Sequence, residues 1–157
     1  MIKHVIIWTL KDTLSHAEKE TVKKEAVKKE AVKKETVKVT KENCASAIGS
    51  GALDVFATPS MIALMENTAM RSIEGDLNEE ETTVGTFIQA DHLKASVVGE
   101  NLICHSIATE QNGREITFEV KVTDAKQNLV GRAIHKRFVV KKERFFEKAK
   151  EMAKNVD

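Results

Sequence analysis

The chain has 157 residues with 25 basic and 24 acidic side chains, a formal net charge of +1, and 41% hydrophobic content. That supports one domain with an ordinary core plus an appendage. The nearly cancelled charge excludes a global field aimed at nucleic acid or an anionic membrane, and no run approaches the roughly 20 apolar residues of a membrane span.

Residues 2–10 are rich in β-branched and aromatic side chains and read as a strand. This opening has no small-residue cleavage site and does not read as a signal peptide. A five-residue repeat follows, TVKKE, AVKKE, AVKKE, TVKVT over 21–40. Its Lys, Glu and Ala are good helix formers, so a long helix from about Ser15 to about Lys38 is expected. Val22, Val27, Val32 and Val37 advance five positions each time, roughly 500° of helix, and therefore spiral without making a stripe. We read residues 1–40 as a solvated arm with mixed Lys and Glu, and residues 41–157 as the folded domain.

Gly49, Ser50 and Gly51 mark a loop before the stretch TPSMIALMENTAMR, Thr58–Arg71. Thr58 suits the N-cap of a helix there and Pro59 its first position. Ile62, Met65, Ala69 and Ile73 recur at three- and four-residue spacing and form one apolar stripe. Glu66 lies on or beside that stripe. A carboxylate facing a core needs a partner, unless it sits at the edge and reaches solvent.

After an acidic connection at 74–81 come four strands. Thr83–Leu93 alternates, with Val84, Thr86, Ile88, Ala90 and His92 on one face. Asn101–Ala108 is the second strand, and Asn112-Gly113 signals a tight hairpin turn. Glu115–Thr123 points Ile116, Phe118, Val120 and Val122 inward. Leu129–Val140 follows a turn at Asp124–Asn128. Lys142–Lys154 closes as a helix with Phe145, Phe146, Ala149 and Met152 on one side. One helix followed by a meander of long strands predicts an α+β fold in which a curved antiparallel sheet wraps the helix.

Nucleophilic attack by an oxygen needs that oxygen activated and donors for a developing oxyanion. His92 has the residue type for a general base near neutral pH, or is a strand-end histidine that only hydrogen-bonds. Glu66 can orient a histidine and hold its charge, and Thr58 can attack or position water, though capping alone also explains Thr58. Gly85 is an unfavourable strand residue unless something approaches its backbone closely. Arg137 carries a fork suited to phosphate, or is an ordinary solvated strand-end arginine. His105 and His135 read as structural. Cys44 and Cys104 read as inert, with no metal-type spacing and a reduced cytoplasmic setting as the default.

Three blocks carry a family resemblance: ATPSMIALME at 57–66, TTVGTFIQADH at 82–92 and IHKRFVV at 134–140. From Ala45 to about Phe146 the chain resembles the hotdog-fold acyl-CoA thioesterases of the fluoroacetyl-CoA thioesterase group. The resemblance implies a hotdog fold and hydrolysis of an acyl-CoA thioester, with coenzyme A part of the substrate and no separate cofactor. It implies catalytic roles for Thr58, Glu66 and His92, a glycine near the thioester at Gly85, and an arginine near the coenzyme A moiety at Arg137. It also implies a homodimer with an edge-to-edge sheet and a site completed across the interface. Residues 49–54 lack the aromatic lid residues associated with excluding acetyl substrates, which aligns the chain with the broader bacterial group. A non-catalytic acyl-CoA-binding or regulatory hotdog protein is the alternative. The first 25 residues resemble the start of a stress-responsive dimeric α/β-barrel domain, from which no function is inferred.

Overall fold

The computed structural model describes residues 32–154. The strand expected over residues 2–10, and most of the long helix expected after it, lie outside the described residues. The last seven residues of that expected helix are not helical. Val32–Lys38 is strand β1, hydrogen-bonded antiparallel to β3. Helix propensity favours Lys and Glu only weakly, and an available strand edge overrides it. The sheet therefore draws its first strand from the segment assigned to the arm.

Short helix α1 (Ala45–Ile48) leads to α2 (Thr58–Ile73), then β2 (Glu81–His92), β3 (Asn101–Asn112), β4 (Glu115–Asp124), β5 (Leu129–Lys141) and α3 (Lys142–Lys154). Among the described residues the five strands form one antiparallel sheet in the order β1-β3-β4-β5-β2, with β1 and β2 at its edges. Helix α2 packs across all five strands. This is the helix wrapped by an antiparallel sheet that the sequence predicts.

The core lies between α2 and the sheet. Met61, Met65, Ala69 and Ile73 of the helix meet Leu102, Cys104, Phe118, Val120, Val122, Val130 and Ala133. Met61 takes the place expected for Ile62, which is only half-buried. Ile116, Phe118, Val120 and Val122 all point inward as their alternation requires.

Two local expectations change, in β2 and in the β3–β4 hairpin. Strand β2 carries a bulge between Gly85 and Phe87. Because side chains alternate with period two, the extra residue reverses the facing: Thr83 and Gly85 are inward before it, and Ile88, Ala90 and His92 are the more sheltered positions after it. Val84 and Thr86 therefore do not share the face of His92. The β3–β4 hairpin pairs Asn112 with Glu115, so Gly113 and Arg114 form its loop, one residue later than Asn-Gly suggests. Helix α3 buries no residue, and Phe145, Phe146 and Met152 stay exposed.

No helix among the described residues is long and apolar enough to cross a membrane.

Candidate active site

Helix α2 places two polar groups eight residues apart, about 12 Å of helical rise. At its start, Ala57 is the N-cap and Thr58 the first helical residue, with Pro59 next. Thr58 is thus not the cap the sequence suggests, and no side-chain cap bond forms. Its hydroxyl is free for another partner. Thr58 Oγ1 lies 2.9 Å from Nδ1 of His92, the last residue of β2.

His92 is half-buried. Burial lowers its pKa below the ordinary 6.5, with the Lys94 backbone acting in the opposite sense. The imidazole is therefore predominantly neutral at pH 7 and able to take a proton. Its Nε2 is enclosed and has no hydrogen-bond partner among the described residues.

The second locus surrounds Glu66. Its Oε1 lies 3.8 Å from Nε2 of His135, and its side chain remains 41% exposed. The space it occupies exists because residue 85 is glycine. A Cβ on Gly85 would stand 2.5 Å from Glu66 Oε1 and 3.2 Å from His135 Cε1. The close approach anticipated at Gly85 is thus made by the helix carboxylate.

Arg137 is buried within β5, not exposed at a strand end. Nε donates to Thr83 Oγ1 at 2.8 Å, Nη2 to the Thr83 carbonyl at 2.8 Å, and Nη1 to the Glu66 carbonyl at 3.4 Å and to His135 Nε2 at 3.1 Å. These bonds occupy four of the five N–H groups of the guanidinium. Burial lowers its pKa, opposed by the charge of Glu66, and it stays a cation.

His135, read from sequence as structural, belongs to this cluster. It is fully buried, and its Nδ1 lies 2.8 Å from the Phe87 carbonyl beside the bulge. Its signal in the sequence was its place two residues before Arg137, an inward position on the same strand.

Within one chain, then, Thr58 meets His92, and Glu66 meets Gly85, His135 and Arg137. Among the described residues no hydrogen bond or ion pair joins Glu66 to His92. The cysteines take no part: Cys44 and Cys104 are buried, and burial first of all pushes the Cys104 thiol up to about 11.

A family model described as the fluoroacetyl-CoA-specific thioesterase FlK matches residues 39–143. No curated protein matches the chain. Among solved structures, a mutant of the fluoroacetyl-CoA-specific thioesterase FlK in complex with fluoroacetate and CoA is similar at 24% identity and a TM-score of 0.71, covering 76% of this chain and 97% of that one. A thioesterase superfamily member from Thermus thermophilus is similar at 22% identity and a TM-score of 0.71, covering 78% and 93%. A hot-dog-like protein from Thermanaerovibrio acidaminovorans is similar at 16% identity and a TM-score of 0.70, covering 77% and 89%.

Proposed function

Since the chain belongs to the fluoroacetyl-CoA-specific thioesterase family and is a hotdog-fold acyl-CoA thioester hydrolase, we propose that Thr58, His92 and Glu66 are its catalytic residues, in a site shared across a homodimer. The Thr58–His92 contact of 2.9 Å carries this reading. His92 Nδ1, unprotonated in the neutral ring, takes a proton from the Thr58 hydroxyl or from a water that Thr58 holds. The oxygen so activated adds to the thioester carbonyl. Backbone N–H groups at the start of α2, which lack helical partners, face the charge that develops on the carbonyl oxygen. The C–S bond then breaks, and the proton held on His92 passes to the departing coenzyme A thiolate. The two routes differ in whether Thr58 carries an acyl group, which intact-protein mass spectrometry during turnover reads.

The homodimer reading is supported by the edge of β2, which has no neighbouring strand among the described residues. An antiparallel pairing of β2 with its copy, centred on Gln89, keeps Ile88 and Ala90 on one face and sets the Gly85–Thr86 bulge of one subunit opposite His92 of the partner subunit. The Glu66 cluster of one chain then completes the Thr58–His92 pair of the other. Gly85 thereby borders the substrate, while Arg137 serves that end of the site through the groups it holds. A cytoplasmic setting, with an acyl-CoA as the only small-molecule partner, accords with this chemistry.

The test is complementation. His92→Ala and Glu66→Gln proteins are each expected to be inactive, and mixing them after subunit exchange should restore about a quarter of wild-type activity, because half the dimers are mixed and each holds one intact site. No recovery from verified mixed dimers would overturn the shared site. An inactive wild type against a broad acyl-CoA panel would overturn the catalytic assignment.

A further inference from the structure

The Glu66 cluster contains one titratable ring that the proposed chemistry does not use. His135 lies between the β2 bulge and the guanidinium of Arg137, fully buried. The Phe87 carbonyl can only accept, so His135 Nδ1 carries the proton in that 2.8 Å bond. In a neutral ring Nε2 is then an acceptor, and the Arg137 Nη1–H group 3.1 Å away donates to it. Both nitrogens are satisfied, and together they fix one tautomer.

The groups facing this ring come from every element around it. Glu66 approaches from α2, Arg137 from its own strand, Gly85 and the Phe87 carbonyl from β2, and the Phe118 ring from β4 at 6.3 Å between centroids. The bulge is where the β2–β5 ladder skips a residue. His135 thus supplies a side-chain bond to a backbone carbonyl at the irregularity that places Gly85. Through Arg137 Nη1, which also reaches the Glu66 carbonyl at 3.4 Å, the same ring is tied to the helix.

We infer that His135 is a positioning residue, which locks the Gly85 bulge and the Glu66 helix turn into one rigid unit by bonding Phe87 on one side and Arg137 on the other. This rests on the active-site reading above. A ring that merely filled the core would satisfy its nitrogens wherever convenient. Here both bonds end on the elements that fix the gap between Gly85 and the Glu66 carboxylate. Protonation would place an N–H at Nε2 against the Arg137 N–H group, so the unit holds only while the ring is neutral.

Two variants and one spectroscopic measurement test it. His135→Phe keeps the ring volume and removes both bonds. It is expected to lower kcat on the order of 100-fold with KM nearly unchanged, as a misplaced group in a reaction site does. His135→Gln keeps a neutral donor and acceptor and should stay within about tenfold of wild type. The acid limb of its log kcat profile should be less steep than that of the wild type, in which protonation of His135 adds to that of His92. Nitrogen-15 NMR of the folded wild type should find His135 neutral and protonated on Nδ1, a readout independent of turnover and of either variant's folding. A folded His135→Phe enzyme with wild-type kcat, a His135→Gln profile as steep as the wild type's, or an Nε2-protonated His135 overturns the inference alone. A wild type inactive toward acyl-CoAs removes the catalytic reading itself, and the inference with it.

Discussion

The Thr58 hydroxyl is 2.9 Å from His92 Nδ1, and it is available because Ala57, not Thr58, is the N-cap of α2. The capping role and the catalytic role can therefore be separated by mutation. Loss of a true cap costs about 1 kcal/mol. Thr58→Ala should cost less than that by urea unfolding, since no cap bond exists to lose. Its kcat should nevertheless fall about 100-fold or more, and Thr58→Ser should recover much of it because the hydroxyl returns. A Thr58→Ala enzyme that loses stability but keeps its rate would return the residue to a structural role.

The pH response follows from the burial of His92. Burial lowers its pKa below 6.5, with the Lys94 backbone opposing. A base works in its neutral form, so the acid limb of kcat/KM, which reports the free enzyme, should have its midpoint below 6.5. The same shift bears on stability with a definite sign. Below 6.5 the unfolded chain binds more protons at this residue than the folded one, so the contribution of His92 to stability is full above 6.5 and is lost as pH falls toward the lowered folded value. Denaturation midpoints should drop more steeply with acid in the wild type than in His92→Gln. A kinetic midpoint at or above 6.5 would contradict the assignment of His92 as the base.

Gly85 is the position where a single methyl group should separate activity from stability. The added Cβ would meet Glu66 Oε1 at 2.5 Å, but that oxygen is the end of a flexible side chain and can swing away. We expect Gly85→Ala to cost about 1 kcal/mol in stability, at the low end for overpacking. The displaced carboxylate should lower kcat by on the order of 10- to 100-fold. With Glu66 already truncated to Ala, the glycine substitution should add little further loss, so the double-mutant cycle should be strongly non-additive. Additive losses would mean that Gly85 acts independently of Glu66.

Much of this architecture is legible in the sequence, and the failures share a cause. The alternation of Ile116, Phe118, Val120 and Val122 and the 3.6-residue spacing of Met65, Ala69 and Ile73 are local patterns, and the sheet and helix follow from them. Val32–Lys38 misleads because its local propensity is helical, while the hydrogen-bonding edge of β3 that makes it a strand lies some seventy residues away. The bulge after Gly85 leaves little trace in composition, yet it decides which β2 residues face the helix. Thr58, Glu66, Gly85, His92 and Arg137 were visible as candidates through the resemblance of three sequence blocks to the hotdog-fold thioesterases, while residue type alone left Thr58, His92 and Arg137 with ordinary structural readings. Which of them touch was not visible, because the division into a Thr58–His92 pair and a Glu66 cluster depends on how α2 crosses β2. His135 was passed over because a histidine in a strand looks ordinary until Phe87, Arg137 and Glu66 are placed around it.

Arg137 offers the sharpest contrast between the role its residue type suggests and the role its surroundings support. An arginine that grips a phosphate of coenzyme A should be replaceable by lysine at the cost of a higher KM, with the fold intact. In this chain the guanidinium is buried and its fork is spent on Thr83 Oγ1 and the Thr83 carbonyl, both at 2.8 Å, with Nη1 turned to His135 and Glu66. A lysine has one nitrogen and cannot serve Thr83 twice while also reaching His135. Buried acceptors would lose their donors, at about 1–3 kcal/mol for each group left unpaired. Arg137→Lys should therefore lower the urea midpoint clearly and reduce kcat, with KM for the acyl-CoA nearly constant. A stable Arg137→Lys enzyme with a raised KM and an unchanged kcat would show instead that the side chain leaves its buried partners to meet the coenzyme.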